Sequence, residues 1–206
     1  MNPQLQNILM QDAIIVQQAI EMVNVIVSID TANNYDLFAT TGHKLGTVSE
    51  VGGGAGGFIL RQLFNNARAC TLHIADNHGQ VVGTAKKPFR LFFSEMVAVD
   101  GNAEVGRAKR VSFLKRNYVI SVGGVGGSVF QIESSWFQFK RFSFNVKRNG
   151  IVVASINKKF EGFMKMAFTQ ADNFSIQFID KNLTLEERYT LFATLFLIDF
   201  DVFEQM

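Results

Sequence analysis

Residues 184–203 read TLEERYTLFATLFLIDFDVF, and this stretch decides the fold. Thr184, followed three residues later by Glu187, matches a capping box, which is a signal for the start of a helix. The residues that follow are apolar on nearly every face, and such a helix must be enclosed by the rest of the protein. The apolar run 189–203 is shorter than the roughly 20 residues of a membrane-spanning helix, which leaves a buried core helix or an interfacial segment. We take the first interpretation and predict a buried central helix over about residues 185–203.

Upstream of this stretch the sequence predicts a series of β-hairpins. Dipeptides such as Asp-Gly and Asn-Gly between apolar runs are strong signals for tight hairpin turns. We predict four hairpins, over residues 35–50, 70–86, 97–111 and 142–157. Many short strands and one apolar helix predict a mainly β (α+β) fold. We expect a closed antiparallel barrel of about twelve strands around the buried C-terminal helix, because closure removes exposed strand edges.

The composition is that of one folded domain. Of the 206 residues, 48% are hydrophobic and 18% are charged, which supplies a core and argues against disorder. We expect an N-terminal arm over residues 1–11 and a barrel domain over residues 12–206. The pattern leaves open whether the arm is a helix or a loose segment.

Cysteine and glycine usage argues against several kinds of site. The single cysteine, Cys70, permits neither an intrachain disulfide nor a cysteine-based zinc site. It favours a reducing compartment, so we expect a cytoplasmic protein, peripheral at most to the inner membrane face.

The glycine clusters 52–57 and 123–127 are not followed by the Lys-Ser/Thr of a phosphate-binding loop. With no nucleophile–base pair or metal triad in the pattern, we predict no catalytic residues and a protein that is not an enzyme.

The most specific motif precedes and includes part of the apolar helix. The segment FTQADNFSIQF at 168–178, followed by LIDF at 197–200, closely resembles the phospholipid scramblase family. Its DNFSI core, 172–176, is also similar to plant LURP-one-related proteins, and both groups belong to the Tubby C-terminal-like superfamily. The resemblance spans roughly residues 12–205 and implies a twelve-stranded barrel around a central hydrophobic C-terminal helix. In one departure, the segment 91–94 has no cysteine where the family carries a lipidated cysteine cluster.

The resemblance also implies a calcium segment that begins at Gln170. An EF-hand-like segment offers oxygen ligands at alternate positions and a carboxylate at the twelfth. Here the alternate positions include one carboxylate, Asp172, and Lys181 stands at the twelfth, with Asp180 one residue early. We therefore expect no cofactor and keep calcium binding by Asp172 and Asp180 as an alternative. The other interpretation is a polar turn formed by Asp172 and Asn173.

Clustered basic residues indicate a function at membranes. Each Lys or Arg near an anionic membrane surface contributes about 1 kcal/mol of attraction. Peripheral binding ranks above lipid transport, which needs a polar path across about 30 Å of hydrocarbon. The alternatives are solvated charges on a barrel exterior and a non-enzymatic interaction or regulatory scaffold with a protein partner. A net charge of +2 disfavours nucleic acid. The candidate residues for binding an anionic phospholipid surface are Arg107, Lys109, Arg110, Lys115, Arg116, Lys140, Arg141, Lys158 and Lys159.

A carboxylate inside the predicted helix needs a partner. Asp199 lies within the apolar run 189–203, and a buried carboxylate requires hydrogen-bond donors or a raised pKa. We predict a donor from the barrel wall, either Arg, Lys or a backbone N–H.

Overall fold

The computed structural model describes residues 1–18, 33–51, 69–124, 126–134, 143–158 and 173–203. Within these ranges, twelve antiparallel strands form a closed barrel. Each strand pairs with its neighbours in the chain, and the first pairs with the last, which confirms the predicted fold class. The strands are β1 (Ala13–Gln18), β2 (Asn34–Ala39), β3 (Lys44–Val51), β4 (Cys70–Asp76), β5 (Val81–Lys87), β6 (Glu95–Asp100), β7 (Ala103–Arg110), β8 (Tyr118–Val122), β9 (Ser128–Ile132), β10 (Ser143–Arg148), β11 (Ile151–Lys158) and β12 (Asn173–Phe178).

The C-terminal helix α2 (Leu185–Ile198) fills the barrel. The hydroxyl of Thr184 accepts from the Glu187 backbone N–H at 3.2 Å, and the Glu187 carboxylate accepts from the Thr184 N–H at 2.9 Å, which is the predicted capping box. Every side chain from Glu187 to Ile198 is buried. The helix continues as a π-helical turn, Asp199–Phe203. Because α2 is apolar on all sides, the closed wall is the partner that buries it.

Two glycines let the barrel wall approach the helix closely. At Gly106 in β7, a Cβ atom would lie 2.8 Å from the Ser121 carbonyl oxygen and would also collide with the Thr190 hydroxyl of α2. At Gly83 in β5, a Cβ would lie 2.9 Å from the hydroxyl of Tyr189. A side chain at either position would occupy space that α2 fills, so glycine is required there.

The two ends of the barrel are built differently. Short turns at 40–43, 77–80, 101–102 and 149–150 join strand pairs at what we call the short-turn end. Because neighbouring strands alternate in direction, the longer loops 88–94 (between β5 and β6) and 111–117 (between β7 and β8) lie at the opposite, long-loop end.

The N-terminal segment is helical where the sequence left helix and loose arm open. Helix α1 (Pro3–Leu9) buries Leu5, Ile8 and Leu9 in the common core. Arg188 of α2 donates to the Leu9 carbonyl oxygen at 3.1 Å, so the two helices are also joined by a buried hydrogen bond. The predicted domain boundary between residues 11 and 12 stays a prediction.

Candidate functional site

Two neighbouring loops at the long-loop end carry exposed apolar side chains. We call loops 88–94 and 111–117 the loop pair. Phe92 is 73% exposed and Leu114 is 78% exposed. The loops touch each other, because the ring of Phe113 lies 4.4 Å from that of Phe93 and 6.1 Å from that of Phe92, centroid to centroid. Phe89, Leu91, Val111 and Phe113 are exposed as well. Contiguous exposed apolar surface of this kind is typical of protein or membrane interaction sites.

Hydrogen bonds hold the loop 111–117 in shape. The Arg110 guanidinium donates to the carbonyl oxygens of Ser112 at 2.9 Å and Phe113 at 3.1 Å. The Lys115 N–H donates to the Ser112 hydroxyl at 3.1 Å, and the Arg116 N–H donates to the Ser134 hydroxyl at 2.9 Å. Satisfied backbone groups leave the apolar tips projecting from an ordered loop.

A buried carboxylate anchors the loop 88–94 to the end of the central helix. Asp201 accepts hydrogen bonds from the Ser94 hydroxyl and, at 3.1 Å, from the Tyr118 hydroxyl. Burial raises the pKa of Asp201, and burial together with the Asp201 charge raises the pKa of Tyr118. The loop pair is thus attached at Ser94 to the π-helical turn inside the barrel.

One hydrogen-bond donor to Asp199 is a residue type that the prediction did not name. The hydroxyl of Tyr35, in β2, donates to the Asp199 carboxylate at 2.8 Å inside the core. This donor comes from the barrel wall, as predicted, and is a tyrosine; a donor of the predicted types, Arg, Lys or a backbone N–H, stays a prediction. Strand β2 crosses the wall beside this turn, a juxtaposition that local sequence does not encode.

Four of the predicted basic residues flank the loop pair. Lys109 and Lys115 are exposed, while Arg110 and Arg116 are half-buried beside the same loop. Arg107 differs, because its guanidinium is engaged by Glu104 and Glu95, and hydrogen bonding to Glu104 raises its pKa. Lys158, at the end of β11, lies three strands from β8. The predicted residues Lys140, Arg141 and Lys159 lie outside the described residues.

A cavity of about 590 Å³ opens on the outer barrel wall beside the loop 88–94. Thr71, Lys86, Val97 and Arg107 face it and form one row across β4, β5, β6 and β7, since each pairs with the next in register. At its loop side stands Arg90, whose Nε lies 3.4 Å from the buried carboxylate of Glu95.

The segment proposed for calcium is a barrel strand where it is described. Residues 173–178 form β12, with Phe174, Ile176 and Phe178 buried in the core. Asp180 accepts from the Asn182 N–H at 2.9 Å and from Arg148 at 2.6 Å, and these two partners lower the pKa of Asp180. Asp172 lies outside the described residues, and no group of three His, Cys, Asp or Glu side chains suited to a metal occurs among those described.

Sequence reasoning missed the loop pair. Residues 88–94 read PFRLFFS, and they were noted only for their lack of cysteine. The available signal was a run of large apolar residues between two predicted strands, where turn residues are usual.

Comparisons with known proteins cover the whole barrel. The model of the family described as Scramblase matches residues 1–205. The chain is 29% identical to phospholipid scramblase 2 of Homo sapiens, over 94% of this chain and 68% of that protein. It is 30% identical to phospholipid scramblase 1 of Rattus norvegicus, over 98% of this chain and 63% of that protein. It is also 24% identical to altered inheritance rate of mitochondria protein 25 of Saccharomyces cerevisiae, over 96% of this chain and 72% of that protein.

These matches confirm the resemblance stated from residues 168–178 and 197–200. The chain spans 63% to 72% of the length of these three relatives. No solved structure matches the chain significantly. Among the helices that the structure describes, none has the length and apolar character needed to cross a bilayer.

Proposed function

Because the chain belongs to the Scramblase family, we propose that it is a scramblase-like protein that binds the surface of anionic phospholipid membranes through its loop pair. The observation that carries the proposal is the placement of exposed Phe and Leu side chains, Phe92 and Leu114 foremost, on adjacent loops beside cationic residues. Apolar tips enter the interface between headgroups and acyl chains, and the flanking cations bind the headgroup phosphates.

The basic residues around the loop pair determine which membrane is preferred. Lys109 and Arg110 precede the loop 111–117, and Lys115 and Arg116 lie in it, so its surface is both apolar and positively charged. A neutral membrane would offer the apolar part of this attraction alone. The proposed location is therefore the anionic inner face of a cellular membrane.

Movement of lipid would have to use the exterior of the protein. The described barrel interior is filled by α2, with Leu191, Phe192 and Phe196 buried against the wall. Release of α2 into the bilayer would expose Asp199 and Asp201, each at about 2.5–3.5 kcal/mol on insertion scales. Binding at the surface is therefore the function we place first, and movement of bound lipid second.

The test is co-sedimentation of the purified protein with vesicles. Neutral phosphatidylcholine vesicles are compared with vesicles that contain phosphatidylserine, at low and high salt, with and without calcium. The proposal expects binding to anionic vesicles that weakens with salt and is indifferent to calcium. Absence of binding under every condition would contradict the proposal and favour the scaffold, with the loop pair contacting a protein partner.

A further inference from the structure

The cavity on the outer wall has the form of a binding site for one small molecule. Its volume of about 590 Å³ falls in the range of small-molecule sites, about 300–1,000 Å³. Its floor is the row of Thr71, Lys86 and Val97, and its rim includes Pro88 and Arg90 of the loop pair. The cavity and the exposed apolar tips therefore share one loop.

The lining is cationic. Lys86, Arg90 and Arg107 bring cationic groups to the cavity, and Glu95 is the one carboxylate among the described lining residues; Lys87 also lines it, but its ammonium lies over the Phe200 ring inside the barrel. Glu95 is 3% exposed and accepts hydrogen bonds from both Arg90 and Arg107, so it fixes the two guanidinium groups at the cavity wall. Fixed guanidinium groups and a nearby ammonium are the groups that bind phosphate in proteins.

Apart from Thr71, the remaining described lining is apolar. Val51, Pro88 and Val97 contribute hydrocarbon surface next to the cations. Free phosphate has no apolar atoms to bury against such a surface, whereas a glycerophospholipid presents its glycerol and first acyl carbons directly beside its phosphate. The combination of charge and hydrocarbon favours the lipid as the source of the phosphate.

We propose that this cavity binds the phosphate headgroup of a single anionic glycerophospholipid, with Lys86 and Arg90 contacting the phosphate and Val51, Pro88 and Val97 contacting the glycerol and proximal acyl carbons. The inference rests on the proposed function for its orientation. When Phe92 and its neighbours enter the interface, the cavity beside them lies at the level of the headgroups.

The test uses soluble lipid, without any membrane. The full chain is titrated by calorimetry with dihexanoyl phosphatidic acid below its micelle concentration. Parallel titrations use dihexanoyl phosphatidylcholine, glycerol 3-phosphate and inorganic phosphate. We expect binding of the phosphatidic acid, and binding of the other three probes that is weaker by about tenfold or more, because each lacks either the net charge or the hydrocarbon.

Two double variants carry the same charge change at different places. Lys86→Gln/Arg90→Gln alters the cavity, and we expect its affinity for the phosphatidic acid to fall by about tenfold or more. Lys44→Gln/Lys181→Gln removes the same charge from exposed ion pairs at the short-turn end, and its affinity should equal that of the wild type. In the labelled wild-type protein, amide NMR shifts caused by the lipid should centre on Thr71, Lys86 and Val97.

Each failure has a distinct meaning. If vesicles bind but the soluble phosphatidic acid does not, or if its shifts centre elsewhere, the headgroup cavity is wrong and the proposed function stands. If inorganic phosphate binds as tightly as the phosphatidic acid, the assignment to lipid is wrong. If the soluble lipid binds at the cavity but vesicles do not, the cavity stands and the proposed membrane docking is wrong.

Discussion

Replacing Phe92 and Leu114 with serine should weaken binding to anionic vesicles by at least about 30-fold. Burying a large apolar side chain contributes about 1.5–3 kcal/mol. The two side chains are 73% and 78% exposed in the free protein, so most of that contribution is still available to a membrane. Even at the lower limit the pair contributes about 2 kcal/mol, and each 1.4 kcal/mol corresponds to about tenfold in affinity.

The assay is vesicle co-sedimentation over a range of lipid concentrations, with a matched control at the other end of the barrel. Met10 is 62% exposed and Ile151 is 71% exposed, and both lie at the short-turn end. The control variant Met10→Ser/Ile151→Ser removes comparable apolar surface and should bind like the wild type. Both variants should unfold at the wild-type temperature, since exposed side chains contribute little to stability.

Two results would refute the reasoning. One is unchanged vesicle binding by Phe92→Ser/Leu114→Ser in a folded protein, which would show that the loop pair does not enter the membrane. The other is an equal loss in Met10→Ser/Ile151→Ser, which would show that general apolar exposure, rather than the loop pair, determines binding.

Three further predictions concern stability. Gly106→Ala should lower the free energy of unfolding by about 1–3 kcal/mol in urea titrations, because a Cβ there collides with α2 and its own wall, and a wild-type midpoint would contradict the close approach. Burial raises the pKa of Asp201 above 3.8, so the wild type loses stability as pH rises from 3.8 through the raised value. Asp201→Asn, which cannot ionise, should escape this loss, so its thermal stability relative to the wild type should rise as the pH increases above 3.8, and parallel profiles would refute this. Arg148→Met removes the ion pairs with buried Glu187 at 2.9 Å and with Asp180 at 2.6 Å and should cost about 2 kcal/mol, and no change would mean that solvent replaces the arginine.

The barrel and its central helix were predictable because their signals are local. Tight-turn dipeptides mark hairpins wherever they stand, as at Asp100-Gly101 and Asn149-Gly150, and these turns join the observed strands. The capping box at Thr184 and the uniform apolar run identify a helix that needs enclosure. A closed shell of the predicted strands pairs the strand edges and also encloses this helix.

The candidate sites were not predictable in the same way, because they depend on which loops and strands become neighbours. The contact of Phe113 with Phe92 and Phe93 joins loops on either side of a hairpin, and the cavity joins β4 to β7. Its positive charge alone made Arg107 a candidate for lipid binding, whereas in the fold its guanidinium forms ion pairs with Glu104 and Glu95. The Tyr35–Asp199 bond likewise joins residues from opposite ends of the chain.

The central claim is that the loop pair enters an anionic bilayer, and quenching by brominated lipids tests it most directly. The chain has one tryptophan, Trp136, so Phe92→Trp in a Trp136→Phe background places the only tryptophan, which can be excited apart from the tyrosines, on the loop pair. Ile151→Trp in the same background reports on the short-turn end. The account predicts strong quenching of the tryptophan at position 92 by bromines near the top of the acyl chains of anionic vesicles, and little at position 151. Equal quenching at both positions, or none at position 92 in bound protein, would contradict it.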